Sequence, residues 1–182
     1  MPNELTFRLA TVADAAPLAR AAATFFADTF GPDNRPQDMD AYLASAFSEE
    51  RQRADLADPA TRVLLAVGGD DILAGYVHLR LGATPASAPL PERAHRPIEI
   101  ARLYADRRWH GRGLGGSLMR ASLETARAWG AAVVWLGVWE RNARAIAFYQ
   151  KHGFRVIGEQ AFMLGADRQR DLVMATDVPS AE

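Results

Sequence analysis

The nine residues from Arg108 to Gly116, RWHGRGLGG, hold four glycines and two arginines. They follow an apolar run, Ile98 to Ala105, and lead into an amphipathic one that reaches about Trp129. The pattern predicts a strand, a glycine loop and a helix starting near Gly113. A helix start is a ready anion site: its first amides lack intrahelical acceptors, and the macrodipole adds positive potential. Glycines let backbone approach a diphosphate with no Cβ in the way. Arg108 and Arg112 add charge, and Ser117 offers a hydroxyl in the first turn.

Two ligand patterns fit these residues. Gly111-x-Gly113-x-x-Gly116 satisfies the dinucleotide fingerprint G-x-G-x-x-G, and Arg108-x-x-Gly111-x-Gly113 satisfies a different phosphate loop, R-x-x-G-x-G. A third reading is a tight turn that serves helix packing alone. Glu140, at the end of the next strand, stands roughly where a ribose-binding carboxylate belongs, about 20 residues on. Against the dinucleotide reading, Asp106 to His110 separate the strand from the first glycine. The motif also comes after three expected strands and is followed by too little chain for further parallel crossovers.

The elements that must position this loop read off in order. Leu5 to Leu9 is a short strand. Thr11 to Asp14 matches the helix-start pattern [ST]-x-x-[DE], with the Thr11 hydroxyl as cap, and a helix runs on to about Phe26. GPDNRP breaks it, and Gln37 to about Arg53 forms a second helix, with Met39, Tyr42, Leu43, Ala46 and Phe47 at helical spacing. Thr61–Val67 and Ile72–Leu81 are strands joined by a Gly68-Gly69-Asp70-Asp71 hairpin turn. Pro85, Pro89, Pro91 and Pro97 make residues 82–97 a long loop. Val133 to Val138 is a strand covered on both faces. Asn142 to Lys151 is a short helix stopped at Gly153, and Phe154–Gln160 with Asp171–Ala175 close the chain as an antiparallel pair. The order is β-α-α-β-β-β-α-β-α-β-β, an α/β layer fold, expected as a single domain over residues 1–182.

Composition narrows the functions open to such a fold. With 182 residues and 49% hydrophobic content the chain can bury a core, and its net charge of −1 creates no field for nucleic acid or an acidic membrane. The absence of cysteine removes disulfides, thiolate metal sites and thiol nucleophiles. No apolar run approaches the ~20 residues of a membrane span, and MPNELTFRLATVADAAP lacks a signal-peptide h-region. The expectation is a soluble cytoplasmic protein. His78, His95, His110 and His152 are too scattered to suggest a metal site.

Two segments resemble a known family. EIARLYADRRWHGRGLGGSLM (Glu99 to Met119) is similar to the acetyl-CoA-binding segment of the GNAT superfamily of N-acetyltransferases. WLGVWERNARAIAFYQKHGF (Trp135 to Phe154) resembles its second hallmark, N-x-x-A-x-x-F-Y-x-x-x-G-F. With the VGGDDILAGY hairpin, the resemblance covers essentially the whole chain. TFGPDNRPQDMDAYLASAF together with LGVWERN is similar to the spermine/spermidine (polyamine) acetyltransferase branch.

The resemblance implies a mixed, mostly antiparallel sheet with splayed central strands flanked by helices. It implies that Arg108, Gly111, Arg112, Gly113, Leu114, Gly115, Gly116 and Ser117 wrap the coenzyme A diphosphate. The bulged strand carrying Leu103, Tyr104 and Ala105 would hold pantetheine through backbone groups of Leu103 and Ala105, and the amide near Leu103 would polarise the thioester carbonyl. Asn142 matches a cofactor-contacting asparagine. A homodimer is compatible with the family.

Acyl transfer to an amine then poses two proton problems. An acceptor of pKa ~10 must lose a proton, and the thiolate must gain one. Tyr149, in the F-Y position of the hallmark, suits the second task; the alternative is that Phe148-Tyr149 is simply a core face. Glu99, four positions before Leu103, matches a glutamate used as base by several family members, directly or through water. Regular alternation places it on one strand face with Ala101 and Leu103. Trp139 stands where it could wall an acceptor pocket.

The acceptor expected from this reading is a polyamine, or a lysine or N-terminal amine of a peptide. Asp28, Asp33, Asp38, Asp40, Glu49, Glu50, Asp55 and Asp58 outnumber Arg35, Arg51 and Arg53 in the segment expected to border it, which suits a cation. The other reading of that segment is an ordinary solvated helix pair. The alternative function is a non-catalytic acyl-CoA-binding or regulatory module of the same fold.

Overall fold

Seven strands, β1 (Thr6–Leu9), β2 (Thr61–Val67), β3 (Leu73–Leu81), β4 (Ile98–Ala105), β5 (Val133–Trp139), β6 (Arg155–Leu164) and β7 (Asp167–Asp177), form one sheet in the computed structural model, which describes residues 5–178. Their order is β1-β2-β3-β4-β5-β7-β6. All neighbours are antiparallel except β4 and β5. A single parallel pair cannot make a dinucleotide-binding sheet, which needs successive parallel crossovers. That reading of the glycine loop is overturned.

Five α-helices cover the sheet: α1 (Ala15–Phe30), α2 (Pro36–Ala46), α3 (Glu49–Ala57), α4 (Leu114–Ala128) and α5 (Ala143–Lys151). The single helix expected from Gln37 to Arg53 is two, so the order is β-α-α-α-β-β-β-α-β-α-β-β. The break falls at Ser48, which is extended (φ −64°, ψ 151°) and whose Oγ accepts from the Arg51 amide at 3.1 Å. A serine followed by Glu49 and Glu50 is an N-cap with acids at the positive helix end. The apolar spacing across it masked that signal.

Other boundaries shift outward. α1 continues past Phe26 to Phe30, whose ring packs against Phe26 at 4.6 Å. Ahead of it, Thr11 and Asp14 form the capping box the sequence pattern expects, with the Asp14 carboxylate accepting from the Thr11 amide at 2.7 Å and from its hydroxyl at 3.1 Å. β6 and β7 are longer than expected and turn at Gly165 (φ +59°).

The sheet separates two apolar layers. On one face Val77, Leu79, Ile98, Ile100 and Leu136 pack with Leu118 and Met119 of α4, and α5 joins through Ile146, Phe148 and Tyr149. On the other, Val63, Leu65 and Tyr76 pack with Leu18, Phe25 and Phe26 of α1 and Met39 of α2. Each such buried side chain contributes about 1.5–3 kcal/mol of transfer free energy.

Two irregularities open the centre of the sheet. β4 and β5 stay paired only at Ile98↔Val134 and Glu99↔Trp135, then part. Opposite β3, the register jumps from His78↔Arg102 to Leu79↔Ile100, so Ala101 is the extra residue of a β-bulge. The bulge reverses the facing expected from plain alternation. Leu103 and Ala105 lie with Ile98 and Ile100 on the α4 side. Glu99 instead shares the opposite face with Arg102, which stacks over Phe47 at 4.6 Å, and Tyr104.

Candidate active site

The glycine loop has the conformation an anion cradle requires. Gly111 (φ +74°) and Gly113 (φ +83°) are left-handed, and Gly113 is the N-cap of α4. Open space surrounds both Cβ positions, so φ and not crowding calls for glycine there. The first intrahelical bond is Ser117 N–H to the Gly113 carbonyl at 3.0 Å. The amides of Leu114, Gly115 and Gly116 before it lack helical acceptors. The Leu114 side chain is buried in the core, fixing that turn. Gly115 packs beside the Phe148 ring, which a Cβ there would meet at 3.4 Å.

The loop's arginines are less free than the sequence suggests. Arg108 folds back on Asp106, its Nη2 2.7 Å from Oδ2, while the same carboxylate accepts from the Arg108 amide at 2.8 Å. The Arg108 pairing holds the Asp106 carboxyl below its ordinary range, with burial opposing. Arg112 lies over the Trp109 ring at 5.8 Å. Ser117 Oγ accepts from Arg120 at 3.4 Å.

Beside the loop, β4 shows a bare edge to the gap. The Asp106 amide donates to the Ala74 carbonyl of β3 at 2.8 Å. Peptide groups alternate along a strand, so those of Tyr104 also face β3 and those of Leu103 and Ala105 face the gap. His110 Nε2 lies 3.0 Å from the Ala105 carbonyl, on that open side. Tyr104 contributes its ring elsewhere, packed against Phe26 and Phe30 on the far face, where burial pushes its phenol well above the ordinary range.

Across the gap, Asn142 caps α5: its Oδ1 accepts from the Ala145 amide at 3.1 Å, which leaves its amide hydrogens uncommitted to the cap. Tyr149 on the same helix packs with Phe148 and Phe154, and burial raises its phenol to about 12. It therefore holds its proton at neutral pH. Glu99 sits at the closed end of the V, 3.6 Å from Arg80. Burial raises its carboxyl, with Arg80 and Arg102 opposing.

Two hollows flank this centre. One, about 440 Å³, borders the loop, with Gly113, Gly116, Arg120, Arg127 and His152 on its walls. The other, about 570 Å³, lies on the α1–α2 side. Trp139 walls it, with its ring 6.1 Å from that of Phe30, and four carboxylates and three arginines line it. Of the acidic residues of the helical segment only Asp33 lines this cleft. The rest of that acidity is largely used internally: Asp38 pairs with Arg35, Asp55 with Arg51, Glu49 with Arg53 and Asp28 with Arg107. The expectation of an acidic acceptor surface on these helices gives way to a mixed-charge cleft.

Three residues to which the sequence reading gave no chemical role lie together beside this cleft, of which Gln160 lines it: Gly137, Gln160 and Asp171. Gln160 Nε2 lies 2.9 Å and Asp171 Oδ2 3.2 Å from where a Gly137 Cβ would be. The signal for Asp171 was present, a charge at the head of the apolar run LVMA, but a strand-end charge ordinarily points to water. Among the described residues no helix is long and apolar enough to cross a membrane, and no His, Asp and Glu cluster is arranged to hold a metal ion.

Known proteins resemble the chain both in sequence and in fold. The sequence profile of the Acetyltransferase (GNAT) family matches residues 24–154. An uncharacterized N-acetyltransferase of Lactobacillus delbrueckii subsp. lactis is 37% identical over 82% of this chain and 83% of its own. The spermine/spermidine N(1)-acetyltransferase of Bacillus subtilis is 34% identical over a shorter stretch, 36% of this chain and 43% of its own. The crystal structure of the PaiA N-acetyltransferase from Thermoplasma acidophilum in complex with coenzyme A superposes with a TM-score of 0.74 at 17% identity. That superposition covers 96% of this chain and 99% of that one.

Proposed function

Because the chain belongs to the GNAT acetyltransferase family, and is thereby an N-acetyltransferase that uses acetyl-CoA, we propose that it transfers the acetyl group directly to a primary amine held in the mixed-charge cleft. The observation that carries this reading is the gap between β4 and β5. The peptide groups of Leu103 and Ala105 that β3 leaves unpaired run along one wall, with His110 at the Ala105 carbonyl, and the free amides of Leu114, Gly115 and Gly116 stand at its end. A thioester chain can bond to the first as a strand would, and its diphosphate to the second. The hollow beside Arg120 and Arg127 is suited to the nucleotide end.

In this arrangement the Leu103 amide polarises the thioester carbonyl. Tyr149, protonated at neutral pH, supplies the proton to the departing sulfur. The incoming ammonium yields its proton to a carboxylate on the same face of the sheet, and Glu99 on the central strand is the candidate that the family resemblance supplies. The acceptor class we propose is a polyamine or a lysine or N-terminal amine of a peptide. The short similarity to a polyamine acetyltransferase supports the first, and a cleft with four carboxylates against three arginines accommodates either.

The test is coenzyme A release from acetyl-CoA against a panel of amines. Turnover of polyamines or peptide amines is expected, and activity confined to aminoglycosides or neutral amino acids would sink the acceptor assignment. Tyr149→Phe should lower kcat about 10²-fold at saturating substrates, with acetyl-CoA binding retained.

A further inference from the structure

The proton of the acceptor has a second destination within reach, and its placement separates it from Glu99. Asp171 begins the apolar core of β7, directly across from Trp139 on β5 and Gln160 on β6, both of which line the acceptor cleft. The residue is only 8% exposed. Its Oδ1 is buried without a hydrogen-bond partner, and among the described residues it makes no ion pair. The carboxyl lies over Gly137, where the missing side chain leaves it room.

Position along the gap decides between the two carboxylates. Glu99 is paired with Trp135 where β4 and β5 are still joined, and Arg80 engages it. Gly137 lies two residues further into the opening, as Ala101 lies two beyond Glu99. At about 3.3 Å per residue this puts the Asp171 carboxyl, which reaches back over Gly137 from its place opposite Trp139, roughly 7 Å past the closed end. It is thereby level with the bulge that precedes the Leu103 amide.

We infer that Asp171 is the catalytic residue that receives the acceptor ammonium and takes its proton, while Glu99, engaged by Arg80 at the closed end, does not. This rests on the acetyl-transfer reading above. R–NH₃⁺ gives one proton to the Asp171 carboxylate. The free amine forms the N–C bond at the thioester carbonyl, and collapse of the adduct breaks the C–S bond. Tyr149 protonates the sulfur and recovers its proton from the acetylated nitrogen. The proton on Asp171 leaves to solvent, so the sum is amide, thiol and H⁺. The groups facing Asp171 are Gln160 from β6 and, from α2, Tyr42, whose phenol feels both Asp171 and Arg102 of β4. Burial raises the Asp171 carboxyl to about 6, a value matched to proton exchange near neutrality.

The experiment compares Asp171→Asn and Glu99→Gln by pH–rate profiles on the best amine, with acetyl-CoA-induced thermal stabilisation as the check on folding. Asp171→Asn should lower kcat about 10²–10³-fold and abolish the acid limb near pH 6. Glu99→Gln should lose less than tenfold and keep that limb. An Asp171→Asn enzyme within threefold of wild type with its limb intact would overturn the assignment, as would loss of the limb in Glu99→Gln alone. Wild-type protein that acetylates no primary amine would overturn the functional reading itself, and the assignment with it.

Discussion

At the residue scale, Asp171 and His78 show how burial sets charge. His78 is 1% exposed, and its imidazole is pushed down to about 3 by burial, with Arg102, Arg80 and Arg51 adding to the shift. It is neutral at pH 7 and makes no ion pair with Asp55, 4.0 Å away. Asp171 is an acid held above its ordinary 3.8, at about 6. Its native state therefore keeps the proton to higher pH than the unfolded chain. Its contribution to stability falls as pH climbs from about 4 to 6, by about 3 kcal/mol in total. Asparagine removes that penalty. Asp171→Asn should therefore melt several degrees above wild type at pH 7.5, with the difference shrinking towards pH 4, as read by calorimetry at both pH values. The charge at the head of LVMA marks the position but not its burial, because a strand-end aspartate looks the same whether a sheet or water covers it.

At the element scale, the glycine loop and the N-x-x-A-x-x-F-Y helix were legible because each is local: spacing alone puts the loop at a helix start. Gly113→Ala tests the loop. A left-handed alanine costs about 1–2 kcal/mol, and relieving it turns the cradle amides away. Acetyl-CoA affinity by calorimetry should fall about tenfold or more while the acceptor KM changes little. That β4 is bulged was legible through the family resemblance, but its position was not, since Ile-Ala-Arg-Leu reads as ordinary alternation and the skipped residue is set by pairing with β3. The same blindness placed Glu99 with Leu103. The α2–α3 break was legible in principle, through Ser48 with Glu49 and Glu50, but apolar periodicity outweighed it.

At the scale of the whole molecule, the acceptor cleft is closed by a contact between distant parts of the chain. Asp38 Oδ1 accepts from the Ala166 amide at 2.9 Å, and Gln169 Nε2 donates to Asn34 Oδ1 at 2.6 Å. The tip of the β6–β7 hairpin is thus clamped to the α1–α2 connection. A Gly165 Cβ would stand 2.7 Å from the Asp38 backbone, at a φ that only glycine adopts without strain. Gly165→Ala should raise the acceptor KM severalfold and lower the melting temperature, leaving acetyl-CoA affinity near wild type. Steady-state kinetics and a thermal melt check both. The order of apolar runs foretold an α/β layer fold, and the family resemblance its mixed sheet and flanking helices. A contact spanning more than a hundred residues leaves no local trace.

Ala101 is the one residue of β4 that the pairing with β3 passes over. A chain without it would keep Ile98, Ile100, Leu103 and Ala105 on the same side as before, and Glu99, Arg102 and Tyr104 on the other. Every core partner is kept; what vanishes is the bend that lets β4 turn from β5. A single in-frame codon therefore separates an ordinary closed sheet from one with room for a reaction. Removing Ala101, and not replacing it, is thus the change that would close the gap while sparing the core.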